Sequence, residues 1–299
     1  MIDKTNVLYK FEKSYHISYN PDYFSCVGSS VNLYRFHNGE FVTKLKGIRQ
    51  PNASQFTSDQ RLVVKTTTGR YHIYNLRSME LMKRLLPPPK KVRGSTTNFF
   101  ITADNKYIID SSYVYPTCEL MAMEIETGEY TLFPLGYARR IFVFPTEDEA
   151  KYYVVALCAE TVDAPDVRVR DFYEFTYISG QFKLQKLFSD DQSKIAKADY
   201  RANKFAFADY GNKIKIFDVQ KAFQDELEHK GTGALYDLKL SKSGRWLALA
   251  MSQNVFVYDL RSKECIRNYP VAYGCFVDFL CDDTKLLIGT WENGYFVSL

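Results

Sequence analysis

The chain has 299 residues, of which 46% are hydrophobic, 16% aromatic and 25% charged, so it can bury a large core and has the charged fraction of an ordinary soluble domain. Its net charge of +4 is too small to argue for a nucleic-acid protein. No apolar run approaches the roughly 18 residues that a membrane helix needs, so no membrane partner is expected.

The start of the chain carries Asp3, Lys4, Lys10, Glu12 and Lys13 and lacks the apolar stretch of a signal peptide. The six cysteines, Cys26, Cys118, Cys158, Cys265, Cys275 and Cys281, form no C-x-x-C pair. A chain this long needs no disulfide staples. They read as buried or neutral thiols in a reducing compartment, which implies a cytoplasmic location.

A short apolar strand recurs seven times along the chain. It runs Val31–Phe36, Tyr71–Leu76, Leu120–Ile125, Phe172–Tyr177, Ile214–Val219, Val255–Leu260 and Gly294–Leu299. The equivalent positions are 34, 74, 123, 175, 217, 258 and 297, with gaps of 40, 49, 52, 42, 41 and 39. Blades of propeller proteins repeat at roughly 40–45 residues, and only the third and fourth repeats run long. The sixth repeat shows all four strands: Leu235–Leu240, Trp246–Met251, Val255–Leu260 and Cys265–Val271. Its connectors are rich in Ser, Gly and Asn, which suit tight turns. The strands are apolar on both faces, as in a sheet buried between two others.

The last repeat offers only three strands before the chain stops, and the extra segment Val7–Phe11 precedes the first. The expected fold is therefore all-β: a single seven-bladed β-propeller with four-stranded antiparallel blades, in which the N-terminal strand 7–12 completes the last blade. The expected blades span about 15–46, 52–86, 96–135, 140–188, 195–230, 235–271 and 275–299. An unclosed propeller would leave a strand edge unpaired.

The segment Leu235-Tyr236-Asp237-Leu238-Lys239-Leu240-Ser241-Lys242-Ser243-Gly244-Arg245-Trp246 looks like the first half of a WD blade. Tyr258-Asp259-Leu260 and Phe217-Asp218-Val219 stand where that family has its Trp-Asp dipeptide. The whole chain thus resembles the WD-repeat family, as a divergent relative. The family's Gly-His dipeptide is missing from every blade, and the four histidines, His16, His37, His72 and His229, cannot build its Asp-His-Ser-Trp network. The resemblance implies that b–c loops and d-to-a links share one face. The linker Pro87–Gly94 and the stretches Tyr113–Glu119 and Glu160–Asp171, read as loops, then fall on that face over blades 2 to 4.

This sector collects the candidate partner-binding residues Lys90, Lys91, Arg93, Tyr113, Tyr115, Arg139, Arg168 and Arg170. Tyrosine and arginine favour interfaces. The competing reading is a solvated surface without a partner. Asp199, Asp237 and Asp278 fall near matching positions on the inner strands of blades 5 to 7. They could serve as channel acids, or bond to neighbouring backbone. No nucleophile elbow, phosphate loop or zinc spacing occurs. No metal or cofactor is expected, and the chain reads as non-enzymatic and monomeric. The leading function is a scaffold for a protein or peptide partner. The alternatives are a propeller-type lyase or glycan hydrolase acting at the channel mouth, and phosphopeptide or nucleic-acid binding through the basic sector. Fold alone licenses none of them.

Overall fold

A computed structural model describes residues 7–86, 99–114, 117–161, 163, 167–190, 195–209, 211–218, 223–280 and 282–299. The described strands form seven four-stranded antiparallel sheets with no helix among them, the fold class of a seven-bladed β-propeller. In each sheet the strands a to d follow chain order, except that the last blade takes its fourth strand from the N-terminus. The chain divides into two compact units. One comprises Met1–Ile17, Pro21–Val42 and Lys194–Leu299, and holds blades 5, 6, 7 and most of blade 1. The other comprises Ser18–Asn20 and Thr43–Ser193, and holds blades 2, 3 and 4.

The repeated apolar residue has one physical job in every blade. It stands on strand c opposite a large apolar residue of strand b. The pairs are Tyr34 with Phe24, Tyr74 with Leu62, Met123 with Ile108, Phe175 with Tyr152, Phe217 with Phe205, Tyr258 with Leu247, and Val297 with Leu286. All are buried except Phe217, which is half-buried. Such cross-strand pairs stabilise a sheet by roughly 0.2–1 kcal/mol each beyond their burial. The period of the sequence is the period of these pairs.

The turn between strands a and b is also built repeatedly, by side chains that replace backbone partners. In the second unit the Thr57 hydroxyl donates to Asp59 and accepts from the Arg61 amide at 2.9 Å. The Thr102 hydroxyl likewise donates to Asp104 and accepts from the Tyr107 amide at 3.0 Å. In the first unit Ser241 meets Ser243 and accepts from the Trp246 amide at 3.0 Å. Adjacent blades are then clipped together at these turns. Asn105 of blade 3 bonds the amide and hydroxyl of Ser58 in blade 2 at 3.2 and 2.7 Å. Asp283 of blade 7 accepts from the Lys242 and Ser243 amides of blade 6 at 2.7 and 2.8 Å. Asn105 and Asp283 both adopt the left-handed conformation (φ 58° and 57°), which these residue types tolerate best after glycine.

In the first unit, strand Val7–Glu12 pairs antiparallel with Asn293–Ser298, as the three-stranded last repeat implies. Phe11 is buried against Phe24 and Tyr34, with ring centroids 4.5 and 5.1 Å away. The chain then passes closely between the last and first blades. The Ser14 amide donates to the Thr290 carbonyl at 3.2 Å, and the Tyr15 amide to the Val27 carbonyl at 2.9 Å. Glycines make room for this passage: a Cβ at Gly28 would run into the Lys13 carbonyl, and one at Gly289 into the Ser14 carbonyl.

Candidate functional site

In the second unit, the stretches expected as long loops are largely strand. Strands b and c of blade 3 run Tyr107–Val114 and Thr117–Glu124, which places Tyr113 and Glu119 inside the ladder. Strand c of blade 4 runs Val167–Ile178, so Arg168, Arg170 and Asp171 are strand residues too. The long fourth repeat arises from longer hairpins. Strands b and c of blade 4 have 9 and 12 residues, against 6 and 5 in blade 2.

Arg170 is buried. Its Nε donates to Asp190 Oδ1 at 2.7 Å, its terminal nitrogen pairs with the same carboxylate, and its guanidinium lies 5.8 Å from the Phe172 centroid. A guanidinium in this two-point geometry is spent on holding strands c and d together. Asp171 beside it is held by Ser189 at 2.7 Å, Lys186 at 2.8 Å and Tyr173 at 3.2 Å. Burial alone would raise its pKa, but the Lys186 and Ser189 hydrogen bonds outweigh it and leave the carboxyl below its usual value.

Arg139 opens blade 4 on strand Ala138–Pro145 and is half-buried. Its carbonyl accepts from the Cys118 thiol at 3.1 Å, and Cys118 is the cross-strand partner of Tyr113. The fold thus brings Arg139 and the backbone of Tyr113 to the b–c end of blade 3. Burial pushes the Cys118 thiol up to about 11 against the pull of Arg139 and Arg140, so it is no nucleophile at neutral pH. Lys90, Lys91, Arg93 and Tyr115 lie outside the described residues, as do the side chains of Tyr113 and Arg168. Two residues not singled out in the sequence stand out at this end. Leu86 and Tyr137 lie on the links from blade 2 to blade 3 and from blade 3 to blade 4, and are 65% and 45% exposed.

In the first unit, Asp199, Asp237 and Asp278 occupy the first strands of blades 5, 6 and 7, which lie side by side. Each is engaged. Asp199 accepts from Lys239 Nζ at 3.0 Å and from the Leu240 amide of the next blade at 2.8 Å. Asp237 accepts from the Leu238 amide at 3.0 Å and from the Val277 amide, again of the next blade, at 3.2 Å. Asp278 pairs with Arg201 at 2.7 Å.

Burial raises the pKa of Asp237, with Lys239 and Lys197 pulling the other way. Burial works against the charge of Lys239, but Asp199, Asp237 and Asp278 together overcome it and raise its pKa. His16, on the first strand of blade 1, is held neutral by burial and by Lys239, its pKa lowered to about 3. This is a balanced network of carboxylates and cations that ties blade to blade. No group of three His, Cys, Asp or Glu with metal-holding geometry occurs among the described residues.

No protein-family model and no curated protein matches the chain. No helix among the described residues is long and apolar enough to cross a membrane.

Proposed function

We propose that the chain is a non-enzymatic binding platform for a protein or peptide partner. The partner sits on the loop-and-link end of blades 2 to 4. The observation that carries this is the placement of Leu86 and Tyr137. Two large apolar side chains stand open to solvent on consecutive links of one unit, where folding gains nothing from them. Arg139 lies two residues from Tyr137, and Lys90, Lys91 and Arg93 follow Leu86 in the chain. With Tyr113, Tyr115 and Arg168 these supply the aromatic and arginine anchors that dominate interfaces. Arg170 belongs instead to the support beneath, because its charge is matched by Asp190.

An enzyme reading has less to draw on. A channel-mouth acid or base needs a carboxylate poised for substrate, and Asp199, Asp237 and Asp278 hold lysine, arginine and backbone amides. In the same reading the protein is a single-domain, monomeric, cytoplasmic member of the WD-repeat class. Raised thiol pKa values at Cys26, Cys118, Cys158 and Cys275 suit structural cysteines in a reducing compartment.

The test is a paired affinity capture from native lysate. One bait is the wild-type chain and the other carries K90E, K91E and R93E. A protein recovered by the first and lost by the second supports the assignment. An identical set from both baits removes the patch.

A further inference from the structure

Tyr15 and Trp291 form an aromatic cleft in the first unit. Their ring centroids are 5.9 Å apart and their planes are inclined at 43°. Trp291 follows strand b of blade 7 and is 50% exposed. The cleft already holds a cation: Lys13 Nζ lies 5.1 Å from the Trp291 centroid and 6.0 Å from that of Tyr15. Among the described residues Lys13 makes no ion pair.

An ammonium over two rings is attracted by their quadrupoles, and tryptophan offers the strongest face. The Tyr15 hydroxyl donates to the Gly28 carbonyl, which holds that ring, and the backbone amide of Trp291 donates to the Tyr273 carbonyl at 3.2 Å. The occupant is a flexible four-carbon arm. Lys13 is the part that can leave.

We propose that Tyr15 and Trp291 are a receptor for an alkylammonium group carried by a partner, with Lys13 as the chain's own resident competitor. The proposal rests on the chain having a partner, but it uses none of the residues on blades 2 to 4. A tethered competitor acts at an effective concentration in the millimolar range, so removing it strengthens binding of an external cation.

The probe is tetramethylammonium chloride, titrated against the indole NMR signals of the full chain with sodium chloride as the reference. The chain has two tryptophans, and Trp246 serves as the internal control. The expected result is a saturable shift of the Trp291 signal alone. Its midpoint falls in Lys13→Gln and rises about two- to fivefold in Tyr15→Leu. Thermal midpoints near wild type show that the variants are folded. If Tyr15→Leu unfolds, Tyr15→Phe replaces it and is expected to keep binding. A folded Lys13→Gln chain without a saturable Trp291 shift overturns the receptor. Equal midpoints for wild type and Lys13→Gln overturn the role of Lys13. Either failure leaves the lysate capture on blades 2 to 4 as an independent result.

Discussion

The two units bury charge in opposite ways. In blades 2 and 3, Lys65, Tyr71 and Asp110 form a sealed triad. Each is 1% exposed, the Lys65 ammonium lies 2.5 Å from Asp110, and the Tyr71 hydroxyl donates to the same carboxylate. Burial raises the pKa of Asp110, and Lys65 and Tyr71 pull it back. In blades 5 to 7 the charges form an extended chain: Asp199 meets Lys239 and the Leu240 amide, Asp237 meets the Leu238 and Val277 amides, and Asp278 pairs with Arg201. Lys239 and Asp278 there keep 14% and 18% of their side-chain surface. A charge sealed from water loses most when its counter-charge is removed, whereas one that keeps some exposed surface can fall back on solvent. The same polar residues therefore carry different costs in the two units.

The largest effect is expected from the element both accounts presuppose. Removing residues 1–12 takes away the edge strand of blade 7 and the buried Phe11. Cooperative thermal unfolding should be lost or shifted far downward; an unchanged midpoint would refute closure by this strand.

Next in size is Lys65→Met, which leaves Asp110 buried without its Lys65 counter-charge. It should cost about 3–5 kcal/mol by urea unfolding. The double change Lys65→Met with Asp110→Leu should recover most of that loss, because no charge is then left behind. A single change that costs under about 1 kcal/mol would show that the triad is not sealed.

The matching change in the first unit, Asp199→Asn, keeps an acceptor for the Leu240 amide. It should cost about 1–2 kcal/mol. An equal loss in the two units would erase the contrast between them.

A further effect is on pH dependence. His16 has its folded pKa lowered to about 3, and His72 and His229 are also lowered by burial. A depressed histidine leaves the unfolded chain binding more protons, so stability falls as pH drops below the unfolded value of about 6.5. Between about pH 6 and 4, His16→Gln should reduce the slope of stability with pH by at most about 1.4 kcal/mol per unit. An unchanged slope would place His16 in water.

Much of this fold was legible because the large apolar pairs across strands b and c recur every 39 to 52 residues. Strands a and b of the sixth blade match the sequence reading to the residue, and strands c and d end one residue early. The Val7 strand was legible because the last repeat lacked a fourth. The loops were misread for a physical reason. Arg168, Arg170 and Asp171 look like a solvated stretch, yet Arg170 is buried because Asp190 on the neighbouring strand neutralises it. Pairing across 20 residues leaves no local trace.

Lys65 was missed in the same way, although its position inside Leu62-Val63-Val64-Lys65-Thr66 was a usable signal. The alternation Thr-x-Asp at 57, 102 and 146 also marks the a–b turns and was legible in principle. Leu86, Tyr137 and Trp291 carried no signal, since exposure is set by the fold and not by residue type.

The binding account is tested most directly by hydroxyl-radical footprinting of the chain alone and with its captured partner. Protection of Leu86 and Tyr137, with Met82 and Tyr130 on the outer strands and Ile178 at the opposite turn unchanged, is the predicted result. Protection of Met82, Tyr130 or Ile178 with Leu86 and Tyr137 still open would contradict it.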